Sequence, residues 1–312
     1  MKSSVRKISC ILIFLFAGVL MLRAQTTENA QIKSQQAQRQ TEADWQQARM
    51  LFDAEQQEDL GLIAPLKKSK PWFILPRVGV RGFWTSNALL TNAGEKGDSV
   101  FVDFQGVNAG YALTPEWSAV VDYEFSLTRY SENPALDIDT HACSFDTVYR
   151  LPWNISLDAG LIGLWLYAPH QETEVYRENN PYFNVSQWNG FFDNHLIWSY
   201  GLQYDRHYAH PISYDRNEYT AMTGVSWSWL ANLVTQISLR QSYQFYDQRT
   251  PPLLVNGRQE WVSTAALQTV WQPLDWLQIS AFGVTSYDNS VNDTRDYKVA
   301  NVGGEIRAFW KF

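Results

Sequence analysis

From about residue 72 onward the chain alternates between apolar and polar side chains with a period of two. The clearest run is the last. Ala300, Val302, Gly304, Ile306, Ala308, Trp310 and Phe312 share one parity, and Asn301, Gly303, Glu305, Arg307, Phe309 and Lys311 the other. Successive side chains of a strand point to opposite faces. One face therefore suits lipid and the other suits water or a polar interior. The split recurs where Leu233, Thr235, Ile237 and Leu239 oppose Gln236, Ser238 and Arg240, and where Leu196, Trp198, Tyr200 and Leu202 oppose Ser199, Gly201 and Gln203. Ile155, Leu157, Ala159 and Leu161 oppose Ser156, Asp158 and Gly160. Ala119, Val121, Tyr123, Phe125 and Leu127 oppose Ser118, Asp122, Glu124 and Ser126.

Turn signals punctuate these runs near residues 115, 152, 231 and 274, each carrying Pro, Asn or Asp beside a Trp. The gap between 152 and 231 is twice the others. Asn189–Gly190 lies in it, and Asn-Gly is the strongest two-residue hairpin signal, so a turn is expected there. The repeat is then one hairpin plus a longer loop. A propeller blade has a similar period but needs four strands; only two long strands fit here. The predicted strands lie near 76–88, 98–113, 117–130, 136–150, 154–168, 182–188, 191–206, 217–229, 232–246, 258–271, 276–287 and 296–312. That makes twelve, with ten or fourteen as alternatives. An even number suits a bacterial single-chain barrel and leaves both chain ends on one side.

The first 71 residues are different. Lys2, Arg6 and Lys7 precede an apolar run from Ile8 to Leu22, and Ala24 offers a small residue for cleavage. This reads as a signal peptide over 1–24, too short for the roughly 20 apolar residues of a spanning helix. Cys10 opens the apolar run instead of following it, which argues against lipidation. Residues 25–60 lack Pro and Gly and favour helix. Ala37, Thr41, Trp45, Ala48 and Phe52 form a weak apolar stripe at helical spacing. A periplasmic helical leader and linker is expected over 25–71. It is either a soluble spacer or a surface for a periplasmic partner or self-association.

Composition sharpens the picture. The chain holds 14 Trp, 16 Tyr and 16 Phe but only 4 Met. Trp72, Trp117, Trp153, Trp188, Trp227, Trp229, Trp271, Trp276 and Trp310 gather near one set of strand ends. Tyr130, Tyr167, Tyr204, Tyr219, Tyr243, Tyr287 and Tyr297 gather toward the other. Aromatic girdles of this kind mark the two rims of a membrane barrel. The formal charge is −7, and removing the four cations and no acids of residues 1–24 would bring it to −11. That argues against nucleic acid as a partner, which needs a basic surface. Cys143 would be the one cysteine left, so no internal disulfide can form.

With these rims the chain resembles the bacterial outer-membrane β-barrel proteins, including the porin-like and twelve-stranded groups, from residue 72 to residue 312. The end, Ile306-Arg307-Ala308-Phe309-Trp310-Lys311-Phe312, looks like that family's assembly signal. The resemblance implies an all-β antiparallel transmembrane barrel in the outer membrane of a Gram-negative bacterium, in contact with its lipid. It also implies that the barrel insertion machinery reads Trp310 and Phe312.

The polar parity supplies the candidate chemistry. Asp122, Glu124, Asp146, Arg150, Asp158, Gln236, Arg240, Glu305 and Arg307 are the expected pore-lining residues, because a charge on the lipid face is costly. Five acids against three arginines favour cations mildly. Asp122 and Glu124 should form a negative patch, partly neutralised by Arg150, Arg240 and Arg307. The expected function is a narrow channel for small polar solutes. A closed structural or interaction barrel is the alternative, and a membrane hydrolase a weak third. Outer-membrane phospholipases carry a His and a Ser two residues apart, whereas His141 is three from Ser144 and so on the opposite face; Cys143 at the matching offset lacks an activating partner. Asp137, Asp139 and His141 read as a solvated rim, and His207 and His210 as loop residues beside Pro211. Neither a phosphate loop nor a zinc-type cluster occurs, so no enzyme, metal site or cofactor is expected.

Deleting Phe312 should lower the amount of barrel recovered in outer-membrane fractions. Normal levels in that fraction would refute the assembly-signal reading.

Overall fold

The computed structural model describes residues 71–92, 94–169, 173–247, 258–291 and 296–312. The expected signal peptide and the expected helical leader lie outside the described residues. Twelve strands follow one another: β1 (Trp72–Thr85), β2 (Asp98–Ala112), β3 (Trp117–Tyr130), β4 (Ile138–Leu151), β5 (Ile155–Ala168), β6 (Thr173–Phe191), β7 (Leu196–His210), β8 (Arg216–Leu230), β9 (Leu233–Tyr246), β10 (Gln259–Leu274), β11 (Leu277–Ser290) and β12 (Tyr297–Phe309). Each pairs antiparallel with its sequence neighbours, and β1 pairs with β12 to close the ring. Val80 lies opposite Ile306 and Arg81 opposite Glu305 across that seam. No strand edge is left open, which is the condition for crossing hydrocarbon with strands. The strands run from 13 to 19 residues, longer than the roughly 9–11 a tilted strand needs to cross a bilayer. Their ends therefore extend beyond it.

The two parities separate as their chemistry requires. Val80, Phe101, Val121, Phe145, Leu161, Leu202, Ile237, Leu267, Val302 and Ile306 point outward and are exposed. Arg77, Arg81, Glu124, Asp158, Glu218, Arg240 and Glu305 point inward and are buried. Asp103 and Gln105 on β2 are exceptions, polar and exposed on the outer face. Short connections at 113–116, 152–154, 192–195, 231–232 and 275–276 occupy the end that carries Trp72 and Phe309. The longer connections lie at the other end.

Three expectations need correction. The turn is at 192–195, not at Asn189–Gly190, and β6 starts at Thr173, well before residue 182. Asn189 and Gly190 stay in the strand opposite Trp198 and Ile197. The chain reverses where Phe192, Asp193 and Asn194 take φ of 55°, 52° and 64°, a conformation Asn and Asp tolerate better than most residues. Gly190 is needed for a different reason: a Cβ there would stand 1.9 Å from Asn194 Oδ1. The girdles also lose members. Trp188, Tyr130 and Tyr297 carry the inward parity, and the two tyrosines are buried. Trp72, Trp117, Trp153, Trp229, Trp271, Trp276 and Trp310 do form an exposed outer belt at the terminal end.

The seam depends on close backbone approach. A Cβ at Gly303 would stand 2.2 Å from the Gly82 carbonyl oxygen and 2.4 Å from Phe83 Cβ. Gly303→Val should therefore weaken closure by about 1–3 kcal/mol, the usual cost of overpacking. The measurement is the fast-migrating band of unboiled protein on a detergent gel, which the variant should lose at a lower temperature than the parent. An unchanged transition would mean the seam has slack.

Candidate functional site

The inward parity of β1 places Arg77 and Arg81 on the barrel wall. Arg77 reaches across β2 to β3. Its Nη1 lies 2.5 Å from Asp122 Oδ1, and its Nη2 lies 2.8 Å from Asp122 Oδ2 and 2.9 Å from Glu124 Oε2. The strand between carries Gly106, where a Cβ would stand 3.2 Å from the guanidinium carbon. A missing side chain on β2 thus lets β1 and β3 meet. Above this pair, Arg81 Nη2 donates to Glu305 Oε2 at 2.6 Å, and Arg307 Nη2 donates to Glu305 Oε1 at 2.7 Å. The Phe104 ring lies 5.8 Å from the Arg81 guanidinium and 5.2 Å from that of Arg307. This wall is close to electroneutral, because its cations and anions are interleaved.

The wall of β4 to β7 is built differently. Asp146, Gly160, Tyr182 and Asp205 follow one another in register across the four strands. Tyr182 donates its hydroxyl to Asp146 Oδ1 at 2.5 Å, passing over Gly160, and Ser144 donates to Asp146 Oδ2 at 2.7 Å. One row away, Asn184 donates to Asp158 Oδ2 at 2.7 Å. Gln203 donates to both oxygens of Asp205 at 2.8 and 3.0 Å, and Asn180 adds a bond at 3.2 Å. Neutral hydroxyls and amides make these bonds, so they orient the carboxylates without cancelling their charge.

Toward the long loops the interior fills. His207 lies between Glu178 and Glu218, at 3.0 and 3.4 Å, and Arg216 approaches the same two carboxylates at 3.4 and 3.5 Å. Arg258 donates to Glu260 at 2.6 Å over the Tyr246 ring. Ala88 and Leu89, in the segment between β1 and β2, fold onto Phe83, Val100, Tyr130, Leu136 and Phe282. Asn87 holds that segment by donating to the Lys298 carbonyl at 3.0 Å.

The nine candidate lining residues all carry the inward parity. Asp122 and Glu124 converge on Arg77, which the sequence reading did not single out; Arg150, Arg240 and Arg307 do not neutralise them. Arg150 lies exposed at the terminal end. Glu305 and Arg307 pair with each other, Arg240 approaches Glu218 at 3.8 Å, and Gln236 is half-buried. Asp146 and Asp158 stand on the β4–β7 wall. Arg81, Asp205 and Tyr182 were also missed. Their signal was the shared parity of Arg77, Gly79 and Arg81, and of Asn180, Tyr182 and Asn184. His141 points outward, with Nδ1 2.8 Å from the Tyr123 hydroxyl, while Ser144 points inward, so the two are on opposite faces as their spacing predicts. Asp137 accepts from the Tyr130 backbone N–H, and Asp137 and Asp139 both face Arg129, at 4.0 and 2.8 Å, while His141 turns to Tyr123. His207 and His210 belong to β7 and not to a loop, on opposite faces.

No family model matches the chain, and no curated protein matches its sequence. Solved structures do. An outer membrane channel from Pseudomonas putida F1 superposes with a TM-score of 0.50 at 9% identity, over 79% of this chain and 100% of that one. The fold is that of the outer-membrane β-barrels. The translocator domain of the autotransporter NalP from Neisseria meningitidis has a TM-score of 0.41 at 12% identity, covering 87% of this chain and 98% of its own. An anion-selective porin from Comamonas acidovorans has 0.40 at 8% identity, covering 77% and 99%. At these identities the likeness reaches the architecture and stops there.

Arg77 is the cation that the buried Glu124 and the half-buried Asp122 share. Arg77→Met should destabilise the barrel by about 3–5 kcal/mol, the cost of leaving buried charge unpaired. Adding Asp122→Asn and Glu124→Gln should recover much of it. Urea unfolding in lipid vesicles measures both, and equal stability of single and triple variants would refute the pairing.

Proposed function

We propose that this barrel is a narrow channel in the outer membrane of a Gram-negative bacterium, passing small polar solutes with a preference for cations. The observation that carries the reading is the charge layout of the inward belt. Its middle holds Asp122, Glu124, Asp146, Asp158, Asp205 and Glu305 against Arg77, Arg81, Arg240 and Arg307, six negative groups to four positive, a net of −2. The charges are also separated. Three of the arginines sit on β1 and β12 and Arg240 sits on β9, while the β4–β7 wall presents Asp146, Asp158 and Asp205. A permeating cation is drawn to one side of a confined lumen, within the Debye length of about 8 Å at physiological salt.

A closed structural barrel is the second reading. One observation favours it: inward groups near the long loops are sealed, with Arg216 1%, Tyr176 0% and Glu218 0% exposed. In the channel reading this packed mouth is a gate that opens.

Planar bilayers separate the two. Discrete conductance steps support the channel; silence from folded, inserted protein overturns it. In a salt gradient, Asp146→Asn with Asp205→Asn should move the reversal potential toward anions. Asp122→Asn with Glu124→Gln should move it less, because Arg77 already compensates those acids. The reverse ranking would mean that permeant ions follow the β3 wall.

A further inference from the structure

We propose that the β4–β7 wall is a binding subsite for a solute carrying a primary ammonium group. The proposal rests on the channel reading and names what the channel would hold.

The wall has spent its donors. Asn180 and Asn184 are 5% and 2% exposed, and each turns its amide nitrogen to a carboxylate, Asp205 and Asp158 respectively. Exchanging oxygen and nitrogen in either amide would put an acceptor against a carboxylate, so the orientations are fixed. The other side of each amide is its Oδ1 atom, and both Oδ1 atoms are buried with no hydrogen-bond partner. Two unpartnered carbonyl oxygens on buried side chains are costly unless something donates to them. They flank Tyr182 on the same face of β6, and Tyr182 lies in the field of Asp146, Asp158 and Asp205 together. Its hydroxyl, the Ser144 hydroxyl and the Gln203 amide are likewise turned to carboxylates.

Around the two carbonyl oxygens stand Asp146, Asp158, Asp205 and an aromatic ring, and Arg240 and His207 offset part of the charge of Asp205. An ammonium group is the complement: three donors, no acceptor, one positive charge, and an attraction to a tyrosine face. A sugar hydroxyl brings an acceptor the wall cannot serve, and an anion is repelled. Among the described residues no group of three or more His, Cys, Asp and Glu is arranged to hold a metal ion.

The probes are n-butylammonium and tetramethylammonium, which share a charge but differ in N–H donors. In non-ionic detergent at equal concentration, n-butylammonium should raise the thermal unfolding midpoint of the full barrel and tetramethylammonium should not. Asp205→Asn and Asp146→Asn should each weaken n-butylammonium roughly tenfold, the loss of one charged hydrogen bond. Tyr182→Phe frees an oxygen of Asp146 and should tighten binding, which keeps the test decisive should an Asn variant fold poorly. Equal responses to the two cations, or n-butylammonium affinity unchanged in all three variants, would overturn the subsite. The midpoint shift needs no conduction. Conducting protein without a shift defeats the subsite alone, and a shift in protein that stays silent in bilayers defeats the channel while leaving the ammonium site standing.

Discussion

Closure of the hydrogen-bonded ring between β1 and β12 is the constraint on which the other features depend. A bilayer offers the backbone no partner, so each strand must find both its neighbours within the chain. The seam achieves this with nine registered positions from Arg77↔Phe309 to Thr85↔Asn301, and with Gly303, whose missing side chain lets Gly82 and Phe83 approach. Once the ring is closed, every side chain has one of two destinations. Outward chains meet apolar surroundings and inward chains meet each other. The exposed Val, Leu, Ile and aromatic residues of the outer face are then not an aggregation hazard but the surface that matches lipid.

The interior is a balance of filling and charge. In two places long side chains from non-adjacent strands meet because the strand between them carries glycine. Gly106 admits the Arg77–Asp122 pair and Gly160 admits the Tyr182–Asp146 bond. The same device serves opposite ends on the two walls. Over Gly106 a cation cancels two acids, and over Gly160 a neutral hydroxyl orients an acid and leaves its charge in place. An electric asymmetry across the lumen follows, and selectivity follows from the asymmetry if ions pass.

Energetically, the sealed region near the long loops differs from the middle of the barrel. Glu178, His207, Arg216 and Glu218 approach one another with almost no solvent contact. Buried ion networks of this kind specify an arrangement more than they stabilise it. Ala88 and Leu89 pack on a separate apolar cluster on β1, β2, β3 and β11.

The sequence by itself pointed to twelve strands, with ten or fourteen as alternatives, and determined the membrane-facing parity of β3, β5, β7, β9 and β12 and most of the tryptophan belt. Whether a side chain suits lipid or water is a property of that residue and its place in a period of two, with no need to know its neighbours in space. For the same reason His141 and Ser144 could be assigned to opposite faces from their spacing alone. Local signals failed where two meanings compete: Asn189–Gly190 looks like a turn, yet Gly190 is small to make room for Asn194 while the chain reverses later. The partners of the lumen charges were decided only by the tertiary structure. Arg77 belongs with Glu124, and with Asp122 two residues along, because the register of three strands brings Arg77 and Glu124 level and Gly106 clears the path between them. Asp146, Tyr182 and Asp205 share a wall because three registers align. No distance along the chain encodes such alignments, since each depends on how far every strand slides past the next before the ring can close.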